Sequence, residues 1–212
     1  MWGPLPPHGS RRRGSRFLRL LERLLLVVGI VALGYYVYVS AETLLYQAFE
    51  NRELDRILNT AAPAPAHGDV PLATPRPRSR PANGTAIGRL EIPRLGVSAI
   101  IRTGSDARTL QLAIGHIPGT AFPGENGNVG LAAHRDTFFR RLRDIRNDDE
   151  IRVTTSDGVF DYRVERTSVV QPNDVWVLNR TEYPALTLVT CYPFTYIGNA
   201  PQRFIVRANR LR

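Results

Sequence analysis

The chain of 212 residues holds one cysteine, Cys191, and four histidines. A cysteine paired with a histidine is the minimum set for nucleophilic acyl transfer, in which a thiolate attacks a carbonyl and an imidazole moves the protons. Cys191 closes an apolar run, Leu186-Thr187-Leu188-Val189-Thr190, and precedes Tyr192-Pro193. With no second cysteine it forms no internal disulfide, so its thiol is a reactive group, a partner-disulfide donor, or a small buried hydrophobe. Arg203 lies beyond an intervening segment, Tyr192–Gln202, and opens the run Phe204-Ile205-Val206. If the two runs pair as antiparallel strands, the thiol and the guanidinium face a common groove. A guanidinium placed there can donate two hydrogen bonds to a carbonyl oxygen gaining negative charge, and it cannot lose its own charge. Its bland reading is a solvated cation at a strand edge. Of the histidines, His134 follows the run Val129–Ala133 directly, and a loop just past a strand is a common address for catalytic groups. His116, in Gly115-His116-Ile117-Pro118-Gly119, precedes a Pro/Gly turn and reads as structural or as packing for a substrate loop. His8 and His67 fall in segments with no core pattern.

The elements that must position these side chains read as β structure from Thr85 onward. Ile151–Thr155 alternates, Ser156-Asp157-Gly158 supplies a turn, and Phe160, Tyr162 and Val164 share one face. Ala86–Ile92, Val97–Ile101, Val129–Ala133, Leu186–Cys191 and Phe204–Ala208 are further expected strands, and Glu125-Asn126-Gly127-Asn128 is turn chemistry. Alternation puts Thr187, Val189 and Cys191 on one face of their strand and Leu186, Leu188 and Thr190 on the other. Two helical patches are expected, at Asp106–Ile114 and Thr137–Ile145. Seven or eight short strands in this space predict an all-β barrel or sandwich, closure being what removes exposed edges. No Cys/His spacing fits zinc, no glycine-rich phosphate loop appears, and no acidic cluster suggests calcium, so neither metal nor cofactor is expected.

All 28 basic residues are arginines, against 19 acids, for a net charge of +9. Arg11, Arg12, Arg13, Arg16, Arg19 and Arg23 stand directly before the apolar run Leu24–Ala41, and Phe17 alone falls among them, not the interleaved aromatics that a base-stacking surface would need. That placement reads as membrane topology, not as a nucleic-acid footprint. Eighteen helical residues at about 1.5 Å each give roughly 27 Å, close to a bilayer core of about 30 Å. Tyr35, Tyr36 and Tyr38 cluster at the far end, as interfacial aromatics do, and the arginines hold the amino end in the cytoplasm. A cleaved signal peptide is the rival reading, but this run exceeds the roughly 7–15 residues of a signal core. The expected organisation is a basic cytoplasmic tail (1–23), a single-pass anchor (24–41), a juxtamembrane helix with a Pro-rich stalk (42–84), and an exported catalytic domain (85–212). The stalk carries prolines at 63, 65, 71, 75, 77 and 81, a spacing that yields an extended spacer.

Thr187-Leu188-Val189-Thr190-Cys191 with Arg203 a dozen residues on resembles the active-site signature of sortases, TLxTC. Leu131-Ala132-Ala133-His134-Arg135-Asp136 resembles their histidine segment, with Ala133 where glycine is usual. Gly115–Thr120, Pro123-Gly124 and Gly127-Asn128 match the run that precedes it. The likeness covers about Ala86 to Arg210, and the segments flanking Cys191 and Arg203 look most like class D. The resemblance implies a closed eight-stranded β-barrel with short helices and a groove floored by two strands. It implies a transpeptidase: Cys191 attacks an LPxTG- or LPxTA-like sorting signal after Thr, forming a thioester. His134 protonates the leaving amine and deprotonates the incoming one, Arg203 steadies the oxyanion, and Thr190 and His116 support substrate or oxyanion. The implied partners are exported proteins bearing the signal and an amine on a cell-wall precursor or pilin-like subunit. An exported cysteine peptidase passing the thioester to water needs the same side chains and stands as the alternative.

Overall fold

Alternation along the strands decides which side chains share an interior. Leu90 and Ile92 of β1 (Ala86–Ile92), Val97, Ala99 and Ile101 of β2 (Val97–Thr103), and Ile151 and Val153 of β5 (Glu150–Thr155) are all buried. So are Tyr162 and Val164 of β6 (Gly158–Val170), Leu186 and Leu188 of β7 (Ala185–Tyr192), and Val206 and Ala208 of β8 (Gln202–Arg210). With β3 (Ile114–His116) and β4 (Asn128–Ala132) they enclose one apolar core. The structure is a computed structural model that describes residues 11–60, 80–196 and 198–211. The first ten residues of the basic tail with His8, and residues 61–79 of the Pro-rich segment with His67, lie outside the described residues.

The strands close in the order β1-β2-β3-β4-β7-β8-β6-β5, the eight-stranded barrel that the resemblance implies. Two seams are parallel, β2 with β3 and β4 with β7. Parallel neighbours require a crossover. The first crossover carries α2 (Ala107–Leu112); the second is the whole β5–β6 excursion. Asp106 caps α2, accepting from the Thr109 backbone N–H at 3.0 Å and its hydroxyl at 2.9 Å. Those hydrogen bonds, the backbone one first, pull the Asp106 carboxyl down to about 2.

Several expected boundaries move. The helical patch expected to reach Ile114 ends at Leu112, and Ile114 opens β3. At the centre of β3, a Cβ on Gly115 would lie 2.5 Å from the Gly104 carbonyl oxygen, so only glycine lets the chains approach. The patch expected at Thr137–Ile145 contracts to a 3-10 helix, Arg140–Asp144. β6 runs on to Val170 because β8 pairs with its second half. Short 3-10 helices at Pro93–Leu95 and Val175–Leu178 were not expected.

Upstream, the expected anchor and juxtamembrane helix are one helix, α1 (Arg11–Thr60). No glycine or proline interrupts it after Gly34, so nothing breaks it at residue 41. Its stretch Phe17–Arg52 is long and apolar enough to cross a membrane. Residues to Leu44 form one compact unit; from Leu45 on, the chain belongs with the barrel. Within that second unit the Gln47 side chain works as a spare peptide group. Its Oε1 accepts from the Ile100 N–H at 2.9 Å and its Nε2 donates to the Leu112 carbonyl at 2.6 Å. Ile100 lies one residue before the first β2–β3 pair, Ile101 with Ile114, so Gln47 adds a rung where the ladder has not yet begun. Arg89 reaches Asn51 at 3.4 Å and Asp55 at 3.0 Å, and the Arg102 guanidinium lies 5.0 Å from the Tyr46 ring centroid. Packing on the barrel therefore begins well upstream of Gly84.

A second polar anchor ties the 3-10 helix Pro93–Leu95 to the turn that precedes β5. Asp149, 7% exposed, receives the Arg94 guanidinium through two hydrogen bonds, one of them 2.6 Å, and the Arg146 N–H at 2.7 Å. The Arg94 hydrogen bond is the main reason its carboxyl stays below the ordinary carboxylate range.

Two outcomes follow. Gln47→Ala in the full chain should lower the stability of the barrel by about 1–3 kcal/mol, the scale of two lost hydrogen bonds. Gln47→Glu should be no better, because it sets a carboxylate oxygen against the Leu112 carbonyl; thermal unfolding in detergent reads both. Asp149, whose folded pKa is depressed, contributes stability that is complete above its unfolded pKa of about 3.9 and is lost as pH falls through the lower folded value. The melting temperature of the wild type should drop below about pH 4. Asp149→Asn should start lower and change less over the same range.

Candidate active site

The β7–β8 hairpin builds half of the site. The strands pair antiparallel as expected, and Cys191 stands directly opposite Arg203. Opposed residues hold their Cβ atoms about 4.5–5.5 Å apart, so the thiol and the guanidinium stem share one face. Cys191 and Arg203 are both half-buried. Arg203 is held by its own loop: Nη1 donates to the Ala200 carbonyl at 3.1 Å and the Gln202 carbonyl at 2.9 Å. Among the described residues no carboxylate pairs with it, which leaves its other donors for a ligand.

The parallel seam brings in the second half. Ala132 is the Cα partner of Val189, and past it the Ala133 N–H donates to the Val189 carbonyl at 3.2 Å. The Thr190 hydroxyl donates to the Ala133 carbonyl at 2.8 Å. Both sides of the Ala133 peptide are thus fixed to β7 immediately before His134, which is exposed. The Phe139 N–H then donates to the His134 carbonyl at 3.2 Å. Cys191 and Arg203, neighbours across one hairpin, thus share a barrel end with the His134 segment, which is distant in sequence.

Thr190 needs a correction. Read as oxyanion support, its side chain instead points into the barrel, 2% exposed, with the hydroxyl committed to Ala133. Strand alternation puts it on the face opposite Cys191. Its placement is that of a positioning residue. His116 also differs. It pairs with Leu131, which pairs with Leu188, three residues or about 10 Å along the strand from Cys191. Its ring is buried, stacks on Phe122 with centroids 4.3 Å apart, and has Nε2 2.9 Å from the Ala121 carbonyl and 3.2 Å from the Thr120 hydroxyl. Burial lowers its pKa. It braces the turn at 117–122, which fits the packing reading and not the substrate or oxyanion one.

Arg135 was missed. Its Nη2 donates to the Tyr196 carbonyl at 2.5 Å and the Gly198 carbonyl at 3.1 Å, tying the His134 segment to the β7–β8 loop. Adjacency to His134 was the available signal. Tyr192, Phe194 and Phe204 form an aromatic cluster, with ring centroids 5.3–6.2 Å apart, beneath the same loop. The described residues contain no group of His, Cys, Asp and Glu suited to hold a metal ion.

This architecture has known counterparts. The family model for the sortase domain matches residues 90–211, and the chain belongs to the sortase family of cysteine transpeptidases. Within that family it is most like class D. It is 39% identical over 133 residues to sortase D of Bacillus subtilis (strain 168), a match spanning 62% of this chain and 67% of that protein. A Clostridium perfringens sortase D5 transpeptidase superposes with a TM-score of 0.57 at 34% identity, covering 62% of this chain and 82% of the other. Sortase A from Corynebacterium diphtheriae gives 0.57 at 30%, over 62% and 63%.

Thr190→Val keeps shape but removes the hydroxyl, leaving the buried Ala133 carbonyl unpaired at about 1–3 kcal/mol. Because that carbonyl directs His134, kcat should fall well beyond what lost folding explains, with KM little changed. Steady-state kinetics on the folded fraction measures the split.

Proposed function

We propose that the chain is a membrane-anchored sortase that cleaves an LPxTG- or LPxTA-like sorting signal after Thr and transfers the acyl group to an amine. One observation carries this reading: the Cys191–Arg203 register beside a His134 segment hydrogen-bonded to the nucleophile's own strand. The Cys191 thiolate attacks the Thr carbonyl carbon. The oxygen gains negative charge, and the Arg203 donors not used by its loop stabilise it. Collapse breaks the C–N bond; the electron pair leaves with nitrogen, which takes a proton from His134, and a thioester remains. An incoming amine attacks that thioester, His134 takes its proton, and the C–S bond breaks to regenerate the thiolate. Arg135 orients rather than reacts.

In this reading Leu24–Ala41 spans the cytoplasmic membrane within α1, with the arginines on the inner side and residues 85–212 carrying catalysis on the exported face. Partners are exported proteins bearing the signal, with the acceptor amine on a cell-wall precursor or a pilin-like subunit. The family resemblance and the long apolar helix support both points.

Cys191→Ala should abolish turnover, since no thioester can form, and Cys191→Ser should be nearly as inactive. His134→Ala should lose about 10²–10⁴-fold for each missing proton transfer. Arg203→Lys, of equal charge, should still cost about 10²-fold if bidentate donation matters. Near-full activity in Arg203→Lys would remove the oxyanion role. Mass spectrometry of products with and without added amine separates transfer from hydrolysis; hydrolysed product alone, at every amine concentration, would favour the peptidase.

A further inference from the structure

The face of β7 that carries Cys191 continues in register across its neighbours. The first row is Cys191 with Arg203, the second Ala132, Val189 and Ile205, the third Gly130, Thr187 and Arg207. The second row is wholly apolar. The third ends in a second arginine, four residues or about 13 Å along β8 from the first.

Arg207 is half-buried and locked in place. Its Nη1 donates to the Thr187 hydroxyl at 2.8 Å, and that hydroxyl donates to Asn128 Oδ1 at 2.8 Å. Asn128 Nδ2 in turn donates to the carbonyls of Val177 and Asn179 at 3.1 and 3.2 Å. The chain of donors fixes the guanidinium without neutralising it. Its Nε is buried with no partner, and among the described residues no carboxylate lies within ion-pair distance. Its cross-strand neighbour on β6 is another cation, Arg166, itself beside Glu165 at 3.2 Å. The half-buried Arg89 of β1, by comparison, lies 3.0 Å from the Asp55 carboxylate. A half-buried guanidinium held this rigidly, with a buried Nε–H left unpaired, gains from an anion supplied from outside.

The third row is also where the groove is covered. A Cβ on Gly130 would meet the Thr120 methyl at 2.9 Å and the Leu178 Cδ2 at 3.1 Å, and Thr187 is fully buried. The leaving segment and the acceptor amine must exchange freely, whereas the acyl segment stays attached through both half-reactions. The covered end suits the segment that stays.

We infer that Arg207 binds an acidic side chain on the acyl segment of the substrate, about four residues before the scissile carbonyl, and so sets specificity there. The spacing follows from an extended peptide advancing about 3.3 Å per residue. This rests on the reading that a peptide is cleaved at Cys191.

The test uses the purified full chain in detergent and peptides that keep the LPxT motif, with Asp or Asn placed singly at its variable position or at four, five or six residues before the scissile Thr. The quantity read is the Asp/Asn ratio of kcat/KM at each position. Expected is a preference of about tenfold for Asp, the scale of one charge-assisted hydrogen bond, confined to position four or its immediate neighbour. In Arg207→Met the ratio should fall to about one. In Arg207→Glu it should invert when Lys replaces Asp. A wild-type ratio near one at every position, or an unchanged ratio in Arg207→Met, overturns the inference while leaving the cleavage reading intact. Cleavage that persists in Cys191→Ala overturns the cleavage reading itself. Should Arg207→Met and Arg207→Glu lack a cooperative melt, the wild type decides alone: an Asp preference that does not weaken as salt rises from about 0.05 to about 0.5 M counts against an ion pair.

Discussion

The hydrogen bond from the Thr190 hydroxyl to the Ala133 carbonyl spans the seam on which the candidate site depends. β7 is the one strand with both other contributors as neighbours, β4 on its parallel side and β8 on its antiparallel side. A slip of one residue on either side would turn every side chain to the opposite face. On the β8 side a hairpin sets the register. On the β4 side no short turn exists, and the register is held by the core contacts of Leu131 and Leu188 and by this side-chain rung. Its buried hydroxyl has no water to exchange with, so an out-of-register pairing would leave a polar group unsatisfied in the core.

Side chains act as substitute rungs elsewhere too, wherever a backbone ladder runs out. Gln47 does so before the first β2–β3 pair. The Thr120 hydroxyl donates to the Ile117 carbonyl at 2.7 Å and accepts from the Gly130 N–H at 3.1 Å, closing the edge beside the short β3. Gln47 borders the parallel β2–β3 seam, and Thr120 continues the antiparallel β3–β4 ladder past its last strand pair. Crossovers leave backbone groups at strand ends that no adjacent strand reaches, and uncharged amides and hydroxyls satisfy them without importing charge into the wall.

The antiparallel half of this arrangement was legible from sequence, because its signals are local. The run ending at Cys191 and the run opening at Arg203 are separated by one short segment, and alternation along each run fixed which residues share a face. That same alternation set Thr190 opposite Cys191, so its interior placement was implied even while proximity in sequence suggested an oxyanion role. The parallel half was not legible. Ala132 and Val189 meet only through a crossover of more than fifty residues, and nothing local encodes that pairing. β3 escaped notice because three residues centred on a glycine carry no alternation. The continuity of α1 was hidden by a change in composition from apolar to mixed, which marks a change of surroundings rather than a break in the helix. Arg207 reads as an ordinary strand arginine until register shows which residues flank it and which counterions it lacks.

β8 is the last strand in the chain, yet in the barrel it lies between β6 and β7. A chain that emerges amino end first therefore presents Cys191 before it presents the strand that completes the wall. Until residues 202–210 arrive, β6 and β7 each have an open edge, Arg203 is absent from its place, and the parallel seam must be closed against the entropy of a long loop. Non-local closures of this kind form late in folding. Cys191 is thus synthesised before the strand that carries Arg203, and the candidate site is complete only when β8 has paired on both sides.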